Sequence, residues 1–338
     1  MKPTFNQPKR RAIAVLAFFC LVIAIGACKK NANTPTGSYQ NIAELLTAMK
    51  STPQNFNVEA GSAHTIVGAK GTVINFYPNS FLDIKGNPIT SGTINIQLTE
   101  MTSPGEMIAN GSTTMTTTQD ILQSGGEVNI TATMNGQSVK ANRYGIGFPQ
   151  SAPSTKPMQL YFGVTGSLQT SNLIGTSLVN WNTADSVRTG TSSQGTVNVD
   201  SSLAKILYYN SYYIFDSCTN FGWINCDHVF TQPTTEMTIN IVLPDKSFDP
   251  TNTMFFIVYP SINAVRNLSG TYSAITHSTS SQVKVPNGLT IEVAVMSYKN
   301  GSLYYYDQKD VTPKDGMQIN ATLAPETHND LIIKLQQL

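Results

Sequence analysis

Reactive side chains are scarce in this chain, and one stretch of fifteen residues, "DSCTNFGWINCDHVF" from Asp216 to Phe230, holds a large share of them. Within it, Asp216, Cys218, Cys226, Asp227 and His228 bring carboxylate, thiol and imidazole together. Three chemistries use such a set. A zinc site would take Cys218, Cys226 and His228, with Asp216 or Asp227 as fourth ligand. Structural zinc sites pair cysteines roughly two to four residues apart, whereas seven residues lie between these two. A thiol nucleophile needs a lowered pKa and a histidine oriented by a third group. On a strand His228 shares a face with Cys226, but no third member is evident. A disulfide needs only that the chain turn and return, which "TNFG" permits, and closing so short a loop contributes about 2.5 kcal/mol. The expectation is a Cys218–Cys226 disulfide, with no metal and no cofactor.

Other catalytic signatures are missing from the sequence. His64, His228, His277 and His328 are far apart, and none lies in an H-x-x-x-H or H-E-x-x-H pattern. No G-x-S-x-G elbow precedes a helix, and no G-x-x-x-x-G-K-[ST] loop occurs. Glu100, Glu106, Asp120 and Glu127 could meet in space, and a glycosidase pair would need them about 5 to 10 Å apart. Without a sign of pairing they read as solvated loop carboxylates.

Aromatics offer a second kind of site. In "KILYYNSYYIFDS", Leu207, Tyr209, Tyr213 and Phe215 alternate onto one strand face, and Ile206, Tyr208, Tyr212 and Ile214 onto the other. Open to solvent, such tyrosines make a platform for sugar rings or a peptide; covered, they are core or inter-domain packing, which is the reading carried forward. Tyr208, Tyr212 and Trp223 are the residues a ligand would meet.

The N-terminus says where these groups work. Lys2, Lys9, Arg10 and Arg11 precede the apolar run Ala12 to Ala27 and then Cys28. A membrane-spanning helix needs about 20 apolar residues, so this shorter run reads as a secretory signal. Ile25, Gly26, Ala27 and Cys28 resemble the bacterial lipobox. The resemblance implies diacylation of the Cys28 thiol, cleavage before it and acylation of the new amino group. Each buried CH₂ contributes about 0.8 kcal/mol, and stable anchoring takes more than one chain, a condition a triacylated cysteine meets. Residues 1–27 are then the signal, and 28–40, polar and rich in Asn and Thr, a flexible tether. With the four basic residues of the signal removed, 17 of the 21 Lys and Arg face 20 Asp and Glu, about −3 in all. No basic stripe is present, so a nucleic-acid partner is not expected.

Short alternating runs broken by Gly, Asn and Pro fill the chain from Pro53 to about residue 323, the pattern of antiparallel sandwiches rather than βαβ units. Asn135-Gly136 and Asn300-Gly301 each predict a type I′ hairpin. Two helices frame the strands. Ile42, Leu45, Leu46 and Met49 make one apolar face over Asn41–Ser51, and "PETHNDLIIKLQQL" predicts a closing helix with Pro325 in its first turn. Three prolines in Gly147–Pro157 mark a domain boundary. The expected fold is mainly β: two antiparallel β-sandwich domains, 41–150 and 151–338, with a short N-terminal and a C-terminal helix.

"GAKGTVINFYPNSFLDIKGNPITSGTINIQLTEM", Gly68 to Met101, resembles the opening of a ZU5-like β-sandwich. Gly71, Thr72, Val73, Pro78 and Phe81 match its first part; Gly92, Ile94, Ile96 and Leu98 match its second. "SGGEVNITATMNGQSV" resembles the family's following strand pair. With the lipobox, the layout resembles surface lipoproteins of Bacteroidetes-type bacteria. The resemblance implies a scaffold or interaction module rather than a reaction. The expected function is an extracytoplasmic, non-catalytic binding or scaffold module at the outer membrane, on either its periplasmic or its cell-surface face, holding a protein or glycan partner. A hydrolase of envelope polymers and a purely structural assembly component are the alternatives.

Overall fold

The computed structural model describes residues 39–150, 156–165, 178–183, 193–195 and 212–338. The expected signal, the lipobox-like stretch with Cys28 and nearly all of the expected tether lie outside the described residues, as does Tyr208. What is described is mainly β, with three short helices and one 3₁₀ turn.

Strands, numbered in chain order, form two stacked pairs of sheets. An eight-stranded sheet runs β1 (Gln54–Glu59), β5 (Thr93–Met101), β7 (Leu122–Met134), β15 (Gly222–Val229), β11 (Gln159–Thr165), β12 (Val179–Thr183) and β6 (Ser112–Thr116), with β8 (Gln137–Ser138) beside β7. Facing it, a five-stranded sheet runs β13 (Ser193–Gly195), β14 (Tyr212–Cys218), β10 (Tyr144–Pro149), β3 (Val73–Phe76) and β2 (His64–Val67). The short pair β4 (Phe81–Leu82) and β9 (Lys140–Ala141) adds to this half. Alternation builds the core between the sheets. Ile94, Ile96 and Leu98 of β5 and Val128, Ile130 and Ala132 of β7 point inward against Phe76, Ile146, Phe148 and Phe215. Each large aliphatic side chain among them contributes about 1.5–3 kcal/mol when buried.

A second sandwich follows. One sheet runs β19 (Thr271–Ser273), β20 (Ser278–Pro286), β16 (Thr234–Val242) and β23 (Met317–Asn320). The other runs β18 (Ala264–Leu268), β17 (Thr253–Tyr259), β21 (Ile291–Lys299), β22 (Ser302–Val311) and β24 (Ala324–Glu326). Between β21 and β22 the Asn300-Gly301 turn has φ of 49° and 77°, the left-handed pair that a type I′ hairpin requires. Asn135-Gly136 repeats it between β7 and β8 with φ of 50° and 77°.

Helices α1 (Ile42–Met49), α2 (Pro104–Asn110) and α3 (His328–Leu335) cover the outer face of the β17–β21–β22 sheet. α1 buries the four apolar residues that its periodicity predicts, and Asn41 caps it by accepting from the Glu44 N–H at 3.0 Å. With core on one side and helices on the other, every residue of β17, "TMFFIVY", is buried. The closing helix starts later than expected. Thr327 caps α3, and Pro325 lies in edge strand β24, paired with Tyr304, where its missing N–H is no loss.

The boundary expected at Gly147–Pro157 does not separate sheets. β11, β12, β14 and β15 all lie beyond it, yet they hydrogen-bond into the sheets that β1–β10 begin. β10 ends at Pro149 in one sheet, and β11 begins at Gln159 in the other. The passage to the second sandwich falls between Val229 and Thr234. Two pairs, β6 with β12 and β16 with β23, are parallel exceptions to the antiparallel expectation.

Direct bonds tie the two sandwiches. Thr114 Oγ1 donates to the Val265 carbonyl at 3.1 Å and accepts from its N–H at 2.8 Å. Asn263 Nδ2 donates to the carbonyls of Thr102 and Ser124, each at 3.2 Å.

Candidate functional site

The cysteine-rich stretch is taken apart by the fold. Cys218 pairs with Tyr144 in the five-stranded sheet and Cys226 with Leu160 in the eight-stranded one. β14 and β15 are therefore not a hairpin; the chain crosses from sheet to sheet, and both cysteines lie buried in the first core. They are free thiols in this structure, where the sequence led to a disulfide across a tight turn. Burial pushes both thiol pKa values up, in the direction opposite to the lowered value a thiol nucleophile needs. Asp216 is exposed, and Asp227, the next residue along the strand, faces away from the core that holds Cys226. Among the described residues, no group of three or more His, Cys, Asp or Glu is placed to hold a metal.

The aromatic stretch is covered where it is described. Tyr213 and Phe215 join the first core. Tyr212, expected as part of a ligand platform, is instead buried against Val73, with Val67 and Ile214 packed beside it. Of the three platform residues, Trp223 alone is described as half-buried.

Trp223 sits midway down the outer face of the eight-stranded sheet, and that face changes character along its strands. Cross-strand pairing sets its rows. Asn57, Asn95 and Thr133 form one, and Asn55, Gln97 and Thr131 the next. Then come Thr99, Asn129 and Trp223, followed by Met101, Glu127, Asn225 and Tyr161. The first two rows are exposed or half-buried, whereas Met101, Glu127, Asn225 and Tyr161 are buried, Met101 beneath the helices.

The open rows are uncharged and internally bonded. Gln97 Nε2 donates to Asn55 Oδ1 at 3.3 Å, Asn95 Nδ2 to Asn57 Oδ1 at 3.2 Å, and Thr131 Oγ1 to Gln97 Oε1 at 3.2 Å. Glu59 stands at one corner, accepting from the Thr93 hydroxyl at 2.7 Å.

The covered end holds two acids. A bulge shifts the register of β7 against β15, so that Asp227 faces Ser124. Gly126 forms it at φ 123°, a backbone open mainly to glycine. Ser112 Oγ donates to Glu127 Oε2 at 2.5 Å. Asn225 Nδ2 donates to Asp227 Oδ2 at 2.5 Å and lies 3.5 Å from Glu127 Oε1, so one amide spans both carboxyls. Asp227 Oδ1 is buried without a hydrogen-bond partner among the described residues. Burial pushes the Glu127 carboxyl well above its ordinary range; the Ser112 hydroxyl opposes this and the charge of Asp227 adds to it. Burial likewise pushes Asp227 well up, against the pull of Ser124, Asn225 and Gly125. With no cationic partner among the described residues, burial favours the protonated form of both groups.

Of the four acids considered from sequence, only Glu127 enters this pair. Glu100 instead fastens the Gly68–Thr72 loop, accepting from Thr72 N–H at 2.9 Å, Lys70 N–H at 3.0 Å and Gln54 Nε2 at 2.8 Å. Glu106 completes the N-terminal cap of α2 by accepting from the Thr102 N–H and pairs with Lys70. Asp120 binds the Thr116 and Thr118 hydroxyls. Asp227 and Asn225 escape sequence reasoning as partners of Glu127, because roughly a hundred residues and a bulge separate them from it.

No protein-family model matches the chain, and no curated protein does either.

Proposed function

We propose that this protein is a lipid-anchored component of the cell envelope whose β body acts as a non-catalytic binding or scaffold module for a protein or glycan partner. The observation that carries this reading is the division of one sheet face. Its hydrogen-bonding amides and hydroxyls are open, while the acid pair on it is sealed, Glu127 at 1% and Asp227 at 0% exposure. A hydrolase would need the reverse, with carboxyls presented to a polymer chain. The ZU5-like stretch Gly68–Met101 supports the same reading, since the resemblance implies a building block. The tether brings the body to the outer membrane through Cys28, an extracytoplasmic placement on either its periplasmic or its cell-surface face.

Two measurements test it. Mass spectrometry of protein from native envelopes is expected to find a new N-terminus at an acylated Cys28. The same protein should be two hydrogens lighter from a Cys218–Cys226 bond, formed as the compartment's oxidant takes two electrons and two protons. Both cysteines are buried in the first core, one on each of its two sheets, and an exported protein meets a compartment in which disulfides persist. An unacylated chain in the cytosolic fraction would sink the anchoring. Pull-down from native membranes, paired with a glycan array, is expected to yield a partner; silence in both would sink the binding reading.

A further inference from the structure

We propose that Glu127, Asp227 and Asn225 form a site for one Ca²⁺ where the outer face of the eight-stranded sheet meets the second sandwich. Such a site stands or falls apart from the binding reading above, because it lies beneath the junction and not on the open rows.

Strand pairing gathers the donors. Asn225 lies opposite Glu127 across β15 and β7, and Asp227, two residues further along β15, shares their face. Asp227 is fully buried, and its Oδ1 has no hydrogen-bond partner among the described residues. A carboxyl oxygen sealed in this way requires a proton or a cation. Glu127 Oε1 meets the Asn225 amide at 3.5 Å, longer than an ordinary hydrogen bond.

That amide can turn end for end. Ser124 Oγ donates to Asn225 Oδ1 at 3.3 Å, and a hydroxyl accepts as well as it donates. Turned, Asn225 keeps its bond to Ser124 through Nδ2 and gives Oδ1 to the two carboxylates. Ser112 Oγ, 2.5 Å from Glu127 Oε2, adds a hydroxyl. Two bidentate carboxylates, one amide and one hydroxyl supply roughly the six oxygens at which Ca²⁺ coordination begins.

The same donors choose the ion. All are hard oxygens, without the thiol or imidazole that zinc and copper favour. With only two acids, the set differs from a cluster of three or more His, Cys, Asp or Glu, which the described residues lack. No Lys, Arg or His among the described residues forms an ion pair with either acid, so two buried negative charges match one divalent cation. Mg²⁺ usually keeps several waters, which carboxyls exposed at 1% and 0% do not accommodate. Position gives the ion a task. Ser112 directly follows the Gly111 cap of α2, and the Ser124 carbonyl accepts from Asn263 of the second sandwich at 3.2 Å. A cation there locks β6, β7 and β15 beneath the junction.

Melting of the full mature protein in detergent at pH 8 tests the site, after dialysis against EDTA and then against CaCl₂ or MgCl₂ at about 1 mM, the top of the range in which extracellular Ca²⁺ modules bind. Ca²⁺ should raise the melting temperature by about 5 °C or more over EDTA, and Mg²⁺ by roughly half of that or less. Equilibrium dialysis should count one Ca²⁺ per chain. Glu127→Gln and Asp227→Asn should each melt no lower than the wild type in EDTA, yet lose both the Ca²⁺ shift and the bound ion. Asp245→Asn/Asp249→Asn is the control. Those acids accept from the Ser247 and Thr251 N–H groups of their own loop, at 2.7 and 2.8 Å, and the variant should keep the shift. A wild type with neither shift nor bound ion overturns the proposal, whether or not the amide variants fold. So does a shift that Glu127→Gln or Asp227→Asn retains, or an equal shift with Mg²⁺.

Discussion

Replacing Glu127 by Gln should leave stability nearly unchanged at pH 4.5 and raise it increasingly toward pH 8.5. The sign follows from the pair. Both carboxyls are raised in the folded protein by burial, while in the unfolded chain they titrate near their ordinary values, about 4. Below that value both states are protonated and the groups contribute no pH dependence. Above it the unfolded chain releases protons that the folded one keeps, so stability falls as pH rises, until the folded pKa is passed. Each tenfold difference in proton affinity between the folded and unfolded chain corresponds to about 1.36 kcal/mol.

The surroundings do not offset this. Tyr161, in the same row, is itself pushed up to about 12 by burial and the nearby Asp227 and stays neutral. Glu106 is engaged by Lys70, and Arg266 of β18 turns its guanidinium to the Lys284 carbonyl at 3.2 Å. His228 points to the other side of its strand, and burial, helped by the charge of Lys156, pushes its pKa down. Asp227→Asn should act in the same direction. Scanning calorimetry from pH 4.5 to 8.5 gives the curves. A wild type and a Glu127→Gln protein with parallel curves would show that the pair is not proton-loaded in the fold. A wild-type melting temperature that climbs on adding Ca²⁺ at pH 8 would show a cation in place of the protons.

Trp181→Ala is expected to lose about 3–5 kcal/mol, the usual range for deleting a large buried aromatic, and to lower the melting temperature by roughly 10 °C for a body of this size. Trp181 is fully buried and packs with Leu122, Tyr161 and Val179. Its indole N–H donates to the Thr113 carbonyl, which would be left unsatisfied. The loss should spread, since Thr113 neighbours Thr114, which bonds Val265 of the second sandwich. Trp181→Phe should recover most of the packing but not the hydrogen bond. A drop below roughly 3 °C for the alanine variant in thermal unfolding would contradict the packing described.

Local patterns predicted local structure well. The periodicity of Ile42, Leu45, Leu46 and Met49 predicts α1 and its buried face, and the two Asn-Gly pairs predict both hairpins, because each depends on residues a few positions apart. The alternation of Ile94, Ile96 and Leu98 predicts a half-buried strand for the same reason. Pairings across distance were not legible. Prolines at 147–157 mark a break in a strand, but whether the chain then enters a new domain or the opposite sheet of the same one is decided by which strand edges are free to pair. Cys218 and Cys226 looked like the two ends of a turn because they are close in sequence. They lie in different sheets instead, because β14 and β15 do not pair with each other.

The amino-acid sequence by itself determined the class of this fold, a body of short alternating strands framed by two helices, and it carries the Ile25–Cys28 stretch whose resemblance to a lipobox underlies the proposed anchoring. Tertiary structure alone decided the chemistry of the body. Glu127 reaches Asn225 and Asp227 only because a glycine bulge shifts the register of two strands that are roughly a hundred residues apart. The same sheet face is open at Asn55 and Gln97 and closed at Met101 because the helices and the second sandwich cover only one end of it. Burial and register are properties of which surfaces meet, and no spacing along the chain encodes them.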